Sequence, residues 1–176
     1  GTVKIADGTV TLTTGTTTKD GTTSTSDGIK ASMLCDISGG TINITSTGDA
    51  IKANASSIDE DNPTIADGDG SINITGGEDG IKGVKRVNVS DGEITITKAE
   101  DGIQVSEVVY DTDGTTVKAY VTGSIGISGG TFNITSSEDG IQCGTGNITI
   151  TGGDITVDSK MDCIQAENIT GAGSID

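Results

Sequence analysis

Histidine and tryptophan are absent from this chain of 176 residues, proline occurs once, and two Tyr and one Phe are the only aromatics. Without His there is no Ser-His-Asp or Cys-His relay and no His-built zinc site. Hydrophobic residues make up 31%. They are too few and too small for a conventional two-layer core, because large side chains carry most of the burial. No apolar run approaches the length that spans a membrane. Basic residues are scarce, ten Lys and Arg against 26 Asp and Glu, for a formal net charge of −16. A surface that tracks phosphates needs clustered cations, so neither nucleic acid nor an anionic membrane is an expected partner. Cys35, Cys143 and Cys163 are odd in number and show no disulfide spacing.

What the chain has in quantity is glycine, 28 residues, and Ile and Val at fixed offsets. The element Asp-x-Ile-Lys/Gln occurs six times, beginning at Asp27, Asp49, Asp79, Asp101, Asp139 and Asp162, with steps of 22, 30, 22, 38 and 23. A base period of 22 residues carries insertions near 13–24, 54–67 and 106–123. Seven residues before each of the last five Asp, an apolar residue (Ile42, Ile72, Ile94, Phe132, Ile155) opens a short alternating strand. Each of these strands follows a Gly, as a tight corner requires. One unit shows the inward set: Ile29, Ala31, Cys35, Ile37, Ile42 and Ile44.

Alternation of period two excludes helix and, with a Gly or Asp corner between short strands, predicts an all-β fold. The expected architecture is a right-handed parallel β-helix, a solenoid of about 22 residues and three short strands per coil. The chain reads as a single domain over 1–176, a segment of a longer product whose open rungs invite end-to-end self-association. Stacking places Ile29, Ile51, Ile81, Ile103, Ile141 and Ile164 in one column. Ala31, Ala53, Gly83, Val105, Cys143 and Ala166 form a second beside it. Cys35 and Cys143 fall on inward positions as small hydrophobes, whereas Cys163 takes a corner slot usually held by Gly.

Three units carry Glu-Asp-Gly-Ile: Glu78-Asp79, Glu100-Asp101 and Glu138-Asp139. Stacked about 4.8 Å apart, such carboxylates repel by about 1 kcal/mol per pair in water and by several kcal/mol at a dielectric near 20. Two readings answer that repulsion. A hard cation, Ca²⁺, can sit among oxygen ligands drawn from these six residues, or each Asp can spend its oxygens on backbone N–H groups. A second acidic stretch, Asp59-Glu60-Asp61 with Asp67 and Asp69, lacks a complete EF-hand pattern and reads equally as a solvated loop.

Outside the Ile column runs a ladder of Lys30, Lys52, Lys82, Gln104, Gln142 and Gln165. Beside carboxylates, its ammonium and amide groups suit a polymer bearing acids and hydroxyls, or serve as solubilising residues. Tyr110 and Tyr120, in the longest insertion, are the candidate aromatic sugar platform. A third array is Thr41/Asn43/Thr45, Ser71/Asn73/Thr75 and Thr131/Asn133/Thr135, whose Asn-x-Thr triplets read as strand pattern and not as glycan acceptors.

With these repeats laid out, the sequence resembles a bacterial family of extracellular carbohydrate-binding β-helix proteins related in fold to polysaccharide lyases. The shared pieces are Gly-Gly-Thr-Ile-Asn-Ile-Thr (39–45), Glu-Asp-Gly-Ile-Lys (78–82) and the run from Gly129 to Gln142. The resemblance implies calcium at the Asp-Gly-Ile corners and a plant-cell-wall polysaccharide, cellulose or polygalacturonate, as partner. It also implies a location outside the cell or at its surface. Three functions follow: a non-catalytic binding module, a structural or adhesive segment that polymerises end to end, and a calcium-dependent polysaccharide lyase. A lyase needs one distinct base, whereas Lys30, Lys52 and Lys82 form a repeated row. Ice binding through the Thr/Asn face is interrupted by Glu93, Asp154 and Asp158.

Overall fold

The computed structural model describes residues 1–53, 64–106, 108–110, 115–171 and 174–175. The chain is all-β. Sixteen strands among these residues form one curled sheet in which every pairing is parallel, and two further strand pairs are antiparallel. No helix among them is long and apolar enough to cross a membrane.

Three ladders make up the sheet. The first stacks Ile29–Ala31, Ile51–Ala53, Asp79–Gly83, Asp101–Val105 and the openings of Ile141–Ile150 and Ile164–Gly171. Its register joins Ile29, Ile51, Ile81, Ile103, Ile141 and Ile164, with Lys30, Lys52, Lys82, Gln104, Gln142 and Gln165 beside them. Both columns expected from the repeat are therefore in place. The second ladder runs from Val3–Ile5 through Cys35–Ile37 and the first halves of Thr64–Thr75 and Arg86–Ala99. It continues through Gly123–Ile127 to the end of Ile141–Ile150 and the later part of Ile164–Gly171. The third joins Thr9–Thr13, Thr41–Thr45, the second halves of Thr64–Thr75 and Arg86–Ala99, Thr131–Ser136, Asp154–Ser159 and Ser174–Ile175.

Each strand alternates because a pleated chain sends successive side chains to opposite faces. Thr131–Ser136 alternates exposed and buried residue by residue, which puts Phe132, Ile134 and Ser136 inside and Thr131, Asn133 and Thr135 outside. The core is built of Ile, Val and small residues with Phe132 as its one aromatic among the fully buried side chains. Cys35 and Cys143 are buried in it and Cys163 is exposed. Burial, reinforced by the neighbouring Asp36 charge, pushes the Cys35 thiol up to about 12, so it stays a neutral packing group.

The expected three short, separate strands per unit differ from what is seen. Arg86–Ala99 and Thr64–Thr75 run through their Gly corner as continuous strands, with register shifts between Val89 and Asp91 and between Asp91 and Glu93. Bulges bend such a strand without ending its pairing. Two of the insertions form antiparallel pairs separate from the main sheet, whereas Thr64 and Ile65, at the end of the 54–67 insertion, pair within the second ladder. Thr17–Lys19 and Thr22–Ser24 form a hairpin, turned by Asp20 (φ 51°) and Gly21 (φ 78°). Val108–Tyr110 and Val117–Tyr120 form a second antiparallel pair. Most of the 54–67 insertion, with Asp59, Glu60 and Asp61, lies outside the described residues, as do the side chains of Asp67 and Asp69.

Candidate functional site

The Asp positions stack as the period requires, and their oxygens have specific partners. Asp27 Oδ1 accepts the Asp49 N–H (3.1 Å), and Asp49 Oδ1 accepts the Asp79 N–H (3.2 Å). Asp101 Oδ1 accepts the Asp139 N–H (2.8 Å), and Asp139 Oδ1 accepts the Asp162 N–H (2.9 Å). Asp27, Asp49, Asp101 and Asp139 thus each tie their own rung to the next. The second oxygen turns to the residue three positions on. Lys30, Lys52 and Lys82 place Nζ at 2.9, 2.5 and 2.6 Å from Oδ2 of Asp27, Asp49 and Asp79. In the later rungs Gln104, Gln142 (2.5 Å) and Gln165 (3.1 Å) donate Nε2 to Oδ2 of Asp101, Asp139 and Asp162. The rail is charge-compensated in its first half and only hydrogen-bonded in its second.

Burial sets the electrostatics. Asp49, Asp79, Asp101 and Asp139 are all buried. Burial pushes Asp79 up to about 6; the Lys82 charge and hydrogen bond oppose it, and the flanking Asp49 and Asp101 charges reinforce it. Asp101 is also raised by burial, against the Asp139 N–H and Gln104. Burial draws Lys82 down, but Asp79, Asp49 and Glu78 together hold it above its usual value. Lys30 is raised by its hydrogen bond and charge interaction with Asp27.

The Glu members behave differently. Their backbones join the stack, Glu100 N–H donating to Glu78 O (2.5 Å) and Glu138 N–H to Glu100 O (2.8 Å). Glu78 Oε1 accepts the Thr25 hydroxyl (2.9 Å), while Glu100 and Glu138 are exposed. For calcium the donor set divides. Both oxygens of Asp101 and of Asp139 already accept protein hydrogens, and Asp79 holds an ammonium, so the Asp ladder does not fit a resident ion. No group of three or more His, Cys, Asp or Glu side chains that could hold a metal occurs among the described residues. The exposed Glu100 and Glu138 carboxylates are the oxygens left open to a cation.

The Lys/Gln ladder is likewise partly spent on its own carboxylates. Lys30 keeps 57% of its side chain exposed, against 21% for Lys52 and 25% for Lys82. Gln104 Oε1 accepts the Ser106 hydroxyl (2.6 Å), and Gln165 is exposed. Tyr110 pairs opposite Val117 and Tyr120 opposite Val108 along the backbone, and their side chains lie outside the described residues.

Sequence reasoning missed a second feature. Where the second ladder turns into the third, glycines replace side chains, and the surface sinks into a groove of about 650 Å³ between Asp91, Glu93, Thr131 and Asp154. A further hollow of about 560 Å³, bordered by Asp7, Thr9 and Thr41, meets it at Gly70. Gly8, Gly40, Gly92, Gly130 and Gly153 turn this corner at φ between 93° and 102°, a range closed to most side chains. The signal was present as the Gly before every third-ladder strand. In the sequence such a Gly marks a corner, and only the stacking of the corners makes a channel floor.

A family model described as carbohydrate-binding domain-containing protein matches residues 56–162, more than half of the chain. The chain belongs to this family. No curated protein and no solved structure matches it. Within this carbohydrate-binding domain, the matched stretch takes in Asp79, Asp101 and Asp139 of the rail, and every residue lining the larger groove.

Proposed function

We propose that the chain is a non-catalytic polysaccharide-binding module working outside the cell or at its surface. Its partner would be a plant-cell-wall glycan of the cellulose or polygalacturonate type. The observation that carries this reading is the carbohydrate-binding family match over the stretch where straight, in-register polar columns are displayed. A linear polymer meets such columns as a repeating set of equivalent groups. In this proposal the three parallel ladders close into a right-handed β-helix, the hand that parallel crossovers almost always take.

Lyase chemistry is less well supported, because proton abstraction asks for a base whose pKa lies near working pH. Lys30 and Lys82 are held above their ordinary values by Asp27 and Asp79, so both stay protonated. The test is depletion of the protein from solution by insoluble cellulose, with affinity electrophoresis in gels containing polygalacturonate. At least one polymer is expected to retain the chain with no growth of ultraviolet-absorbing unsaturated product. Sustained product formation, or no retention by either polymer, overturns the proposal.

Calcium enters the proposal as an ion recruited by the Glu100 and Glu138 carboxylates together with water or ligand oxygens, not as a resident of the Asp ladder. Its stabilisation should then rise with the logarithm of calcium concentration. A calcium-dependent increase in Tm is expected in the wild type and is expected to vanish in Glu100→Gln/Glu138→Gln. Scanning calorimetry with calcium and with chelator checks this.

A further inference from the structure

We infer that the Gly-floored groove bounded by Asp91, Glu93 and Asp154 is a glycan-binding site that takes a neutral, hydroxyl-rich chain and rejects a uronate polymer. The inference rests on the carbohydrate-binding reading and assigns it a place and a charge class. The lining of both hollows contains carboxylates, Thr and Ser hydroxyls and glycine backbone, and no Lys or Arg. Carboxylates are acceptors only, so they call for a ligand that brings donors. Sugar hydroxyls are such donors, and hydrogen bonds to an ionised acceptor are the stronger kind. A chain carrying its own carboxylates would instead set like charge against Asp91, Glu93 and Asp154.

The shape suits a polymer. Gly70, Gly92, Gly130 and Gly153 line successive rungs, a run of about 14 Å along the stack at rung spacing. Of their carbonyls, that of Gly130 is engaged in the ladder, accepting the Asp154 N–H (2.9 Å). The floor at these four positions is a strip of backbone free of side chains.

The acidic residues depart from the repeat where the larger groove lies. In the outward column that opens the third ladder, the register runs Thr9, Thr41, Ser71, Glu93, Thr131, Asp154. Glu93 and Asp154 replace the hydroxyl residue of the other rungs and bracket Thr131, one rung to either side. Both are exposed. Asp91 is also exposed, its Oδ1 accepting the N–H of the adjacent Gly92 (2.8 Å), which holds it at the rim.

Titration calorimetry with a cello-oligosaccharide and an oligogalacturonate of equal length tests the assignment, using the wild type, Glu93→Gln/Asp154→Asn and Glu93→Lys/Asp154→Lys. The wild type is expected to prefer the neutral chain. The amide variant should bind it at least tenfold more weakly with an unchanged Tm, and the Lys variant should gain affinity for the oligogalacturonate. Neutral-chain binding that both variants leave intact overturns the groove while leaving carbohydrate binding in place. Stronger wild-type binding of the oligogalacturonate, lost in Lys30→Gln/Lys52→Gln/Lys82→Gln, overturns the charge class and moves the site to the Lys ladder. Binding of neither probe overturns the inference together with the reading beneath it.

Discussion

Gly102→Ala is expected to destabilise the fold by about 3 kcal/mol, the upper range for forcing atoms into a packed interior. For a chain of this length that lowers Tm by roughly 6–12 °C. A Cβ at Gly102 would run into the carbonyl oxygen of Gly140 on the next rung and into Cγ2 of Ile134. Neither can retreat cheaply, since Gly140 O accepts the Ile103 N–H (3.0 Å) and Ile134 is buried in the core. Ala50 occupies the equivalent slot in its own rung and is fully buried, so the column accepts a methyl where the surrounding packing is built around it. Gly144→Ala is the control: nothing lies within 4 Å of a Cβ placed there, and the change is expected to stay within about 0.5 kcal/mol. Equal melting curves for the two variants would contradict the close rung packing on which the stack depends.

The fold was largely legible because the repeat and the physics carry the same period. Ile29, Ile51, Ile81, Ile103, Ile141 and Ile164 align in the sheet as they align in the sequence, since slipping one strand by a residue would turn every Ile outward. The insertions were legible as interruptions, though not as hairpins. For the first, the Asp20-Gly21 pair was the usable signal, since that dipeptide suits a turn with two positive φ values.

The site was less legible, for two physical reasons. A row of acidic letters states charge but not which way each oxygen points. Stacked Asp side chains answer their mutual repulsion by taking rung-to-rung N–H bonds and Lys or Gln donors, and that removes the need for an ion among them. The groove, in turn, is made by side chains that are not there. Gly92, Gly130 and Gly153 register in a sequence as turns, and only their vertical alignment makes them a channel.

Asp79→Asn is expected to stabilise the protein at pH 7 by up to about 3 kcal/mol and to change little at pH 4. Burial raises the folded carboxyl to about 6 from an ordinary 3.8, and about two pKa units correspond to roughly 3 kcal/mol of preference for the protonated form. A group raised on folding contributes stability that is complete below its unfolded pKa and is lost as pH climbs through its folded one. For Asp79 that window runs from about 4 to about 6. Above it the wild type holds an ionised side chain that is only 5% exposed, against the charges of Asp49 and Asp101, with Lys82 Nζ at 2.6 Å as partial compensation. An amide of the same shape removes that penalty. Lys82, still facing Asp49 and Glu78 and 25% exposed, keeps anionic neighbours and access to water. Denaturant unfolding of both proteins from pH 4 to pH 8 should therefore give curves that coincide at the acid end and separate through pH 6, with the variant above. A variant that is less stable at pH 7, with no change in the gap on acidification, would mean that the Lys82–Asp79 pair outweighs the burial of its carboxylate.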